Sequence, residues 1–152
     1  MKKKILKFKT DCTIKEIYTF DKTTDLKRPL LGANIPAGFP SPAQDYIEGT
    51  LDLNEHLIAH PAATYFVRVE GYSMIGAGIF PNDILIVDRS LEPRDKKVVI
   101  AIVDGELTVK RLRIRENYWQ LIAENDDYQP INITEDMDFM IWGVITYSIH
   151  SL

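Results

Sequence analysis

The sequence predicts a mainly β fold: a compact, partly open barrel or sandwich behind an extended N-terminal arm. Three observations carry this. Runs rich in β-branched and aromatic residues recur at intervals of about 8–15 residues through the second half of the chain. An Asp104-Gly105 pair separates two such runs, as in a tight hairpin that needs positive φ. Ahead of them, residues 28–42 hold four prolines and two glycines in 15 positions, a composition that suits neither a helix nor a central strand.

From the N-terminus, residues 1–38 carry a net charge of +5 and residues 39–152 a net of −9. Such asymmetry marks a segment that is separate from the core or folds back onto it. A lysine-rich start is also what a solvated, frayed terminus looks like. The Pro-rich stretch reads as an accessible linker with unpaired backbone, and the body begins near Asp45. We therefore expect an arm over 1–44 and a folded domain over 45–152. Leu51–Ala59 suits a short helix with Asn54 as a possible N-cap. Strands are expected over 64–70, 84–88, 97–103, 106–114, 118–123 and 139–149, with room for one helical turn at 75–79.

Composition excludes several function classes. At 152 residues, 45% of them hydrophobic, the chain can bury a real core. Its net charge of −4 argues against a general binder of nucleic acid or anionic membrane. No apolar run approaches the ~18–20 residues of a membrane span. Lys7, Lys9 and Asp11 break any signal-peptide h-region. The single cysteine, Cys12, permits no internal disulfide and fits a reducing cytoplasm.

The search for chemistry narrows quickly. His56 and His60 lie four apart, but without the glutamate of a metalloprotease and with Pro61 ending the helix, so both read as surface histidines. There is no Gly-rich phosphate loop, and Cys12 has no clustered partner. Ser73, in Gly71-Tyr-Ser-Met74, follows directly on a predicted strand. A serine there can expose its hydroxyl beside backbone N–H groups, as a nucleophile requires, but it can equally be an ordinary loop serine. Lys110 is the candidate base. By two-residue alternation Thr108, Lys110, Leu112 and Ile114 share one strand face, while Arg111, Arg113 and Arg115 take the other. Burial strips the ammonium of water and favours the neutral amine, which makes a base of a lysine. An edge lysine that guards against aggregation gives the same pattern. Periodicity leaves both open.

Residues 38–46 (Gly-Phe-Pro-Ser-Pro-Ala-x-Asp-Tyr), the run 52–67, Gly-x-Ser-Met-Ile at 71–75, Asp-x-Leu-Ile-Val-Asp at 83–88 and Val-Asp-Gly-Glu-Leu-Thr-Val-Lys at 103–110 occur in one order and spacing. Together they resemble the LexA/UmuD family of self-cleaving Ser-Lys peptidases. The resemblance implies a compact LexA-type domain of twisted, partly barrel-like antiparallel sheets with one or two short helices. It implies Ser73 as nucleophile, Lys110 as general base, and an oxyanion hole from the backbone of Tyr72, Ser73 and Met74. It also implies self-cleavage at Ala37-Gly38; the residue patterns above offer no metal site and no cofactor motif. The implied setting is a cytoplasmic homodimer in the SOS response, serving a UmuC-type Y-family translesion polymerase, with cleavage stimulated by RecA filaments on single-stranded DNA. The arm is too short for the helix-turn-helix domain of a repressor, so no sequence-specific DNA binding is implied. A non-catalytic polymerase-binding module and a cleavable repressor-like regulator are the alternatives.

Overall fold

The computed structural model describes residues 12–20, 28–31 and 47–152. Its strands are β1 (Cys12–Thr19), β2 (Arg28–Leu31), β3 (Ile47–Leu51), β4 (Thr64–Gly71), β5 (Ile84–Asp88), β6 (Val98–Val103), β7 (Glu106–Arg115), β8 (Tyr118–Ile122), β9 (Ile131–Ile133) and β10 (Phe139–Ile149). Eight of them form one antiparallel sheet in the order β1-β4-β5-β10-β6-β7-β8-β9. The predicted mainly β, LexA-type architecture is what the chain adopts.

The sheet curls into a half-barrel, and its irregularities suit that shape. β10 lies between β5 and β6, and its register slips against both, between Ile145 and Tyr147 and between Ile141 and Gly143. Each extra residue bends the strand and increases local twist. Alternation then sorts the core into two clusters. Val67, Val69, Leu85, Val87, Ile100, Leu107 and Val109 belong to one. Val99, Ala101, Leu112, Leu121 and Val144 form the other. Neighbours along β6 and β7 thus point to opposite sides, as a pleated strand requires.

The six strands expected from sequence all occur, with ends within a residue or two. β1 was not foreseen. Its register against β4 shifts between Ile14 and Glu16, so the core-facing residues Ile14 and Ile17 stand three apart instead of two or four. Charges also mask it. Lys15 pairs with Glu70 at 2.9 Å and Glu16 with Arg68 at 3.4 Å, both partners lying on β4.

Residues 22–59 form a separate unit. Here β2 pairs antiparallel with β3, from Arg28 opposite Leu51 to Leu31 opposite Ile47. The first four residues of the Pro-rich stretch are therefore in a ladder, which corrects the expectation of an unpaired linker at that point. Both strands of a two-stranded ladder are edge strands, where proline is tolerated. The helix α1 is shorter than expected, spanning Leu53–Leu57, and its N-cap is Asp52 rather than Asn54. The Asp52 carboxylate accepts from the Asn54 N–H at 2.9 Å, reaching the second helical residue as a cap does. The expected boundary at 44/45 and the expected cleavage pair Ala37-Gly38 lie outside the described residues.

Candidate active site

Lys110 sits in the middle of β7. Thr108, Lys110 and Leu112 are buried, whereas Arg113 and Arg115 are exposed and Arg111 lies between these extremes. The register sets Lys110 directly opposite Val99, which is wholly buried. The hairpin that fixes this register turns at Asp104 and Gly105, both with positive φ (50° and 83°). Lys110 is 2% exposed and ranks with the fully buried side chains.

Ser73 reaches the same point from the far side of the chain. β4 ends at Gly71, whose φ of 93° no residue with a Cβ adopts without strain. The chain turns there through Tyr72, Ser73 and Met74 into a single 3-10 turn, Ile75–Ala77. Met74 is wholly buried in the first core cluster, and its carbonyl accepts from the N–H groups of Ala77 (3.0 Å) and Ile79 (3.2 Å). Tyr72, by contrast, is 62% exposed. The loop therefore buries the Met74 side chain and exposes that of Tyr72, with Ser73 between.

The two side chains meet. Lys110 Nζ lies 3.1 Å from Ser73 Oγ and 3.1 Å from Thr108 Oγ1, and all three residues are buried. An amine at this distance from a hydroxyl is in range to exchange a proton with it. Among the described residues, no hydrogen bond engages the N–H of Ser73 or Met74. Thr108 is the residue that sequence reading passed over. It appeared only as a face-mate of Lys110, although two-residue spacing on one strand puts their side chains side by side.

The histidines belong elsewhere. His56 is exposed on α1. His60 Nδ1 lies 2.6 Å from Asp88 Oδ2, and His150 Nδ1 lies 2.6 Å from Asp83 Oδ1. Ser90 stands beside the first pair, but its hydroxyl donates to Asp88 Oδ1 at 2.6 Å, not to the imidazole. A serine bound to the carboxylate has no base, so the trio is not a hydrolytic triad. These contacts are structural. Burial pushes the Asp88 carboxyl up, but hydrogen bonds from the Ser90 side chain, His60 and the Ser90 N–H outweigh it and hold the carboxyl below its ordinary range.

Comparison with known proteins places this geometry in a family. Residues 29–146 match the Peptidase S24-like family. Protein ImpA of Salmonella typhimurium is 44% identical over 127 residues, covering 81% of this chain and 83% of its own. Protein MucA of Escherichia coli is 43% identical over 122 residues, or 80% and 83% of the two chains. The LexA repressor of Dechloromonas aromatica is 41% identical over 117 residues, covering 76% of this chain but 57% of the repressor. The kinship sets the class of function: a peptidase of the S24 type, with a UmuD-type role in the SOS response. The chain belongs to the S24-like peptidases, as a UmuD-type member of the LexA/UmuD family.

Proposed function

We propose that this protein cuts its own chain between Ala37 and Gly38, using Ser73 as nucleophile and Lys110 as base. The observation that carries the reading is the 3.1 Å contact between two buried side chains, Lys110 Nζ and Ser73 Oγ. An amine held away from water favours its uncharged form, and only that form accepts a proton.

The chemistry follows in two halves. Ser73 Oγ bonds to the Ala37 carbonyl carbon while its proton passes to Lys110. Backbone N–H groups of Tyr72, Ser73 and Met74 stabilise the negative oxygen that forms. The C–N bond to Gly38 then breaks, and Lys110 returns the proton to the departing amine. Water then bonds to the acyl carbon as its proton passes to Lys110; the bond to Ser73 Oγ breaks as Lys110 returns that proton to the serine, and a carboxylate is left on Ala37. Ala37 and Gly38 are small, and small residues on both sides of a scissile bond suit a narrow cleft. The products are an arm of residues 1–37 and a domain beginning at Gly38.

The cut divides the folded chain as well as the sequence. β1 and β2 go with the arm, whereas their ladder partners β4 and β3 stay with the domain. In the UmuD-type setting the processed form serves as a homodimeric accessory subunit of a UmuC-type Y-family polymerase. RecA filaments on single-stranded DNA stimulate the cut, and the site of action is the cytoplasm. The helix geometry gives no structural member long and apolar enough to cross a membrane among the described residues.

Mass spectrometry of the purified chain, held for hours at mildly alkaline pH, tests the reading. A new N-terminus at Gly38 supports it, with Ser73→Ala remaining intact. A wild-type chain that stays whole, or a Ser73→Ala chain that is cut, overturns it.

A further inference from the structure

The loop that carries Ser73 is gripped by the turn that follows β8. The Gly76 N–H donates to the Glu124 carbonyl at 2.8 Å, and Asn125 Nδ2 donates to the Tyr72 carbonyl at 3.0 Å. The amide of Asn125 has only one orientation that fits. Its Oδ1 accepts from the Asp127 N–H at 3.1 Å, which leaves the NH2 end for Tyr72. At residue 76 a Cβ would stand 2.6 Å from the Glu124 carbonyl oxygen, so the two backbones meet where only glycine fits. The Glu124 side chain pairs with Arg111, the neighbour of Lys110 on β7. The same turn thus touches the nucleophile loop on one side and the lysine strand on the other.

The Tyr72 carbonyl and the Ser73 N–H belong to one planar peptide. The described chain has no cis peptide bond, so the two groups point in opposite directions. Whatever fixes the carbonyl aims the N–H. We propose that Asn125 is a positioning residue: it holds the Tyr72–Ser73 peptide so that the Ser73 N–H faces the oxygen that becomes negative during attack. The inference rests on Ser73 being the nucleophile. Hydrogen bonds weaken steeply as the donor turns away, and oxyanion donors are valuable because they are aimed beforehand. The Ile75 N–H also approaches the Tyr72 carbonyl, but at 3.4 Å, so the Asn125 bond is the tighter of the two.

Asn125→Asp tests this on the full chain. It keeps the size and the acceptor for Asp127 but offers Tyr72 a carboxylate oxygen, which cannot donate. Two rates are followed from pH 6 to 10: self-cleavage by mass, and phosphorylation of Ser73 by diisopropyl fluorophosphate. In the second, Oγ bonds to phosphorus, fluoride leaves and the serine proton passes to Lys110. We expect both rates to fall by about 10–100-fold, at the scale of a misaimed oxyanion donor. Their pH midpoints stay put, and the 31P resonance of the Ser73 adduct moves. Gly76→Ala, which pries apart the neighbouring contact of this loop with the Glu124 carbonyl, changes both in the same direction. If Asn125→Asp loses its fold by circular dichroism, Asn125→Ala is read in its place. Wild-type rates in the variant overturn the proposal and leave the Ser73 reading standing. A slower variant whose 31P resonance does not move also overturns it, since a purely structural defect does that. A wild-type chain that is labelled at Ser73 yet never cut defeats the self-cleavage reading, and labelling rate and 31P shift still decide on Asn125. A wild-type Ser73 that takes no label defeats both.

Discussion

The two halves of the site are built by different means. Lys110 stands on a regular strand, where register against Val99 and alternation with Thr108 and Leu112 fix its direction. Ser73 stands on a loop, where a left-handed glycine, a buried methionine and borrowed hydrogen bonds do the same work. The strand makes a hydrophobic place for an amine, at the cost of burying it. The loop makes a rigid place for a hydroxyl next to backbone donors. Each half alone is unremarkable chemistry; the reactivity proposed here exists only at their 3.1 Å junction.

The largest effects come from removing either side of that junction. Ser73→Ala should abolish self-cleavage while leaving the fold and melting temperature near wild type. Lys110→Met keeps length and burial but has no proton to move, and it too should be inactive in a mass assay. Lys110→Arg should be equally dead, because a guanidinium does not deprotonate in the accessible range. Cleavage by Lys110→Met at a wild-type rate would separate the two halves and dissolve the comparison.

Thr108→Val sharpens it. The variant is close in shape but removes a hydroxyl that accepts from Lys110 Nζ. That bond favours the charged amine, so its loss should move the rising limb of the rate–pH profile to lower pH. The plateau should fall by roughly tenfold as the amine loses its alignment, a modest share of a base's ~10²–10⁴-fold contribution. A profile identical to wild type would show that the strand positions Lys110 without help.

How far these parts could be read beforehand follows from the same contrast. Lys110 was nominated by periodicity, because β7 is regular and its arginines mark the solvent face. Whether it was buried depended on the register across β6, which single-strand alternation cannot supply. Ser73 stood out only by its place after a strand, and its partnership with a residue 37 positions away is a tertiary fact. Asn125 gave no signal, since it acts through a carbonyl 53 residues distant. β1 escaped notice because a bulge broke its alternation and its charges looked solvated. They are instead paired across the ladder with Glu70 and Arg68.

The smallest predicted effect is on stability, away from the site. Asp88 is 3% exposed, and its carboxyl is held below its ordinary range, burial opposing but hydrogen bonds from Ser90 and His60 prevailing. A depressed acid contributes stability that is complete above its unfolded-state range and is lost as pH falls through its folded-state value. Asp88→Asn should therefore cost about 1–3 kcal/mol at pH 7. At this chain length each kilocalorie lowers the melting temperature by roughly 2–4 °C. The gap from wild type should narrow in melts taken progressively below pH 4. A gap that stays constant into acid would mean that Asp88 acts through shape alone.

The central claim is that a buried lysine is uncharged beside Ser73 where other lysines are charged. The direct measurement is an NMR titration of the Lys110 Cε and Nζ resonances in the Ser73→Ala chain, set against the wild-type rate of self-cleavage. The account predicts that Lys110 loses its proton well before the surface lysines, and that the cleavage rate climbs through the same pH interval and then levels. A Lys110 that titrates together with the surface lysines, or a cleavage rate that is flat across its titration, would contradict it.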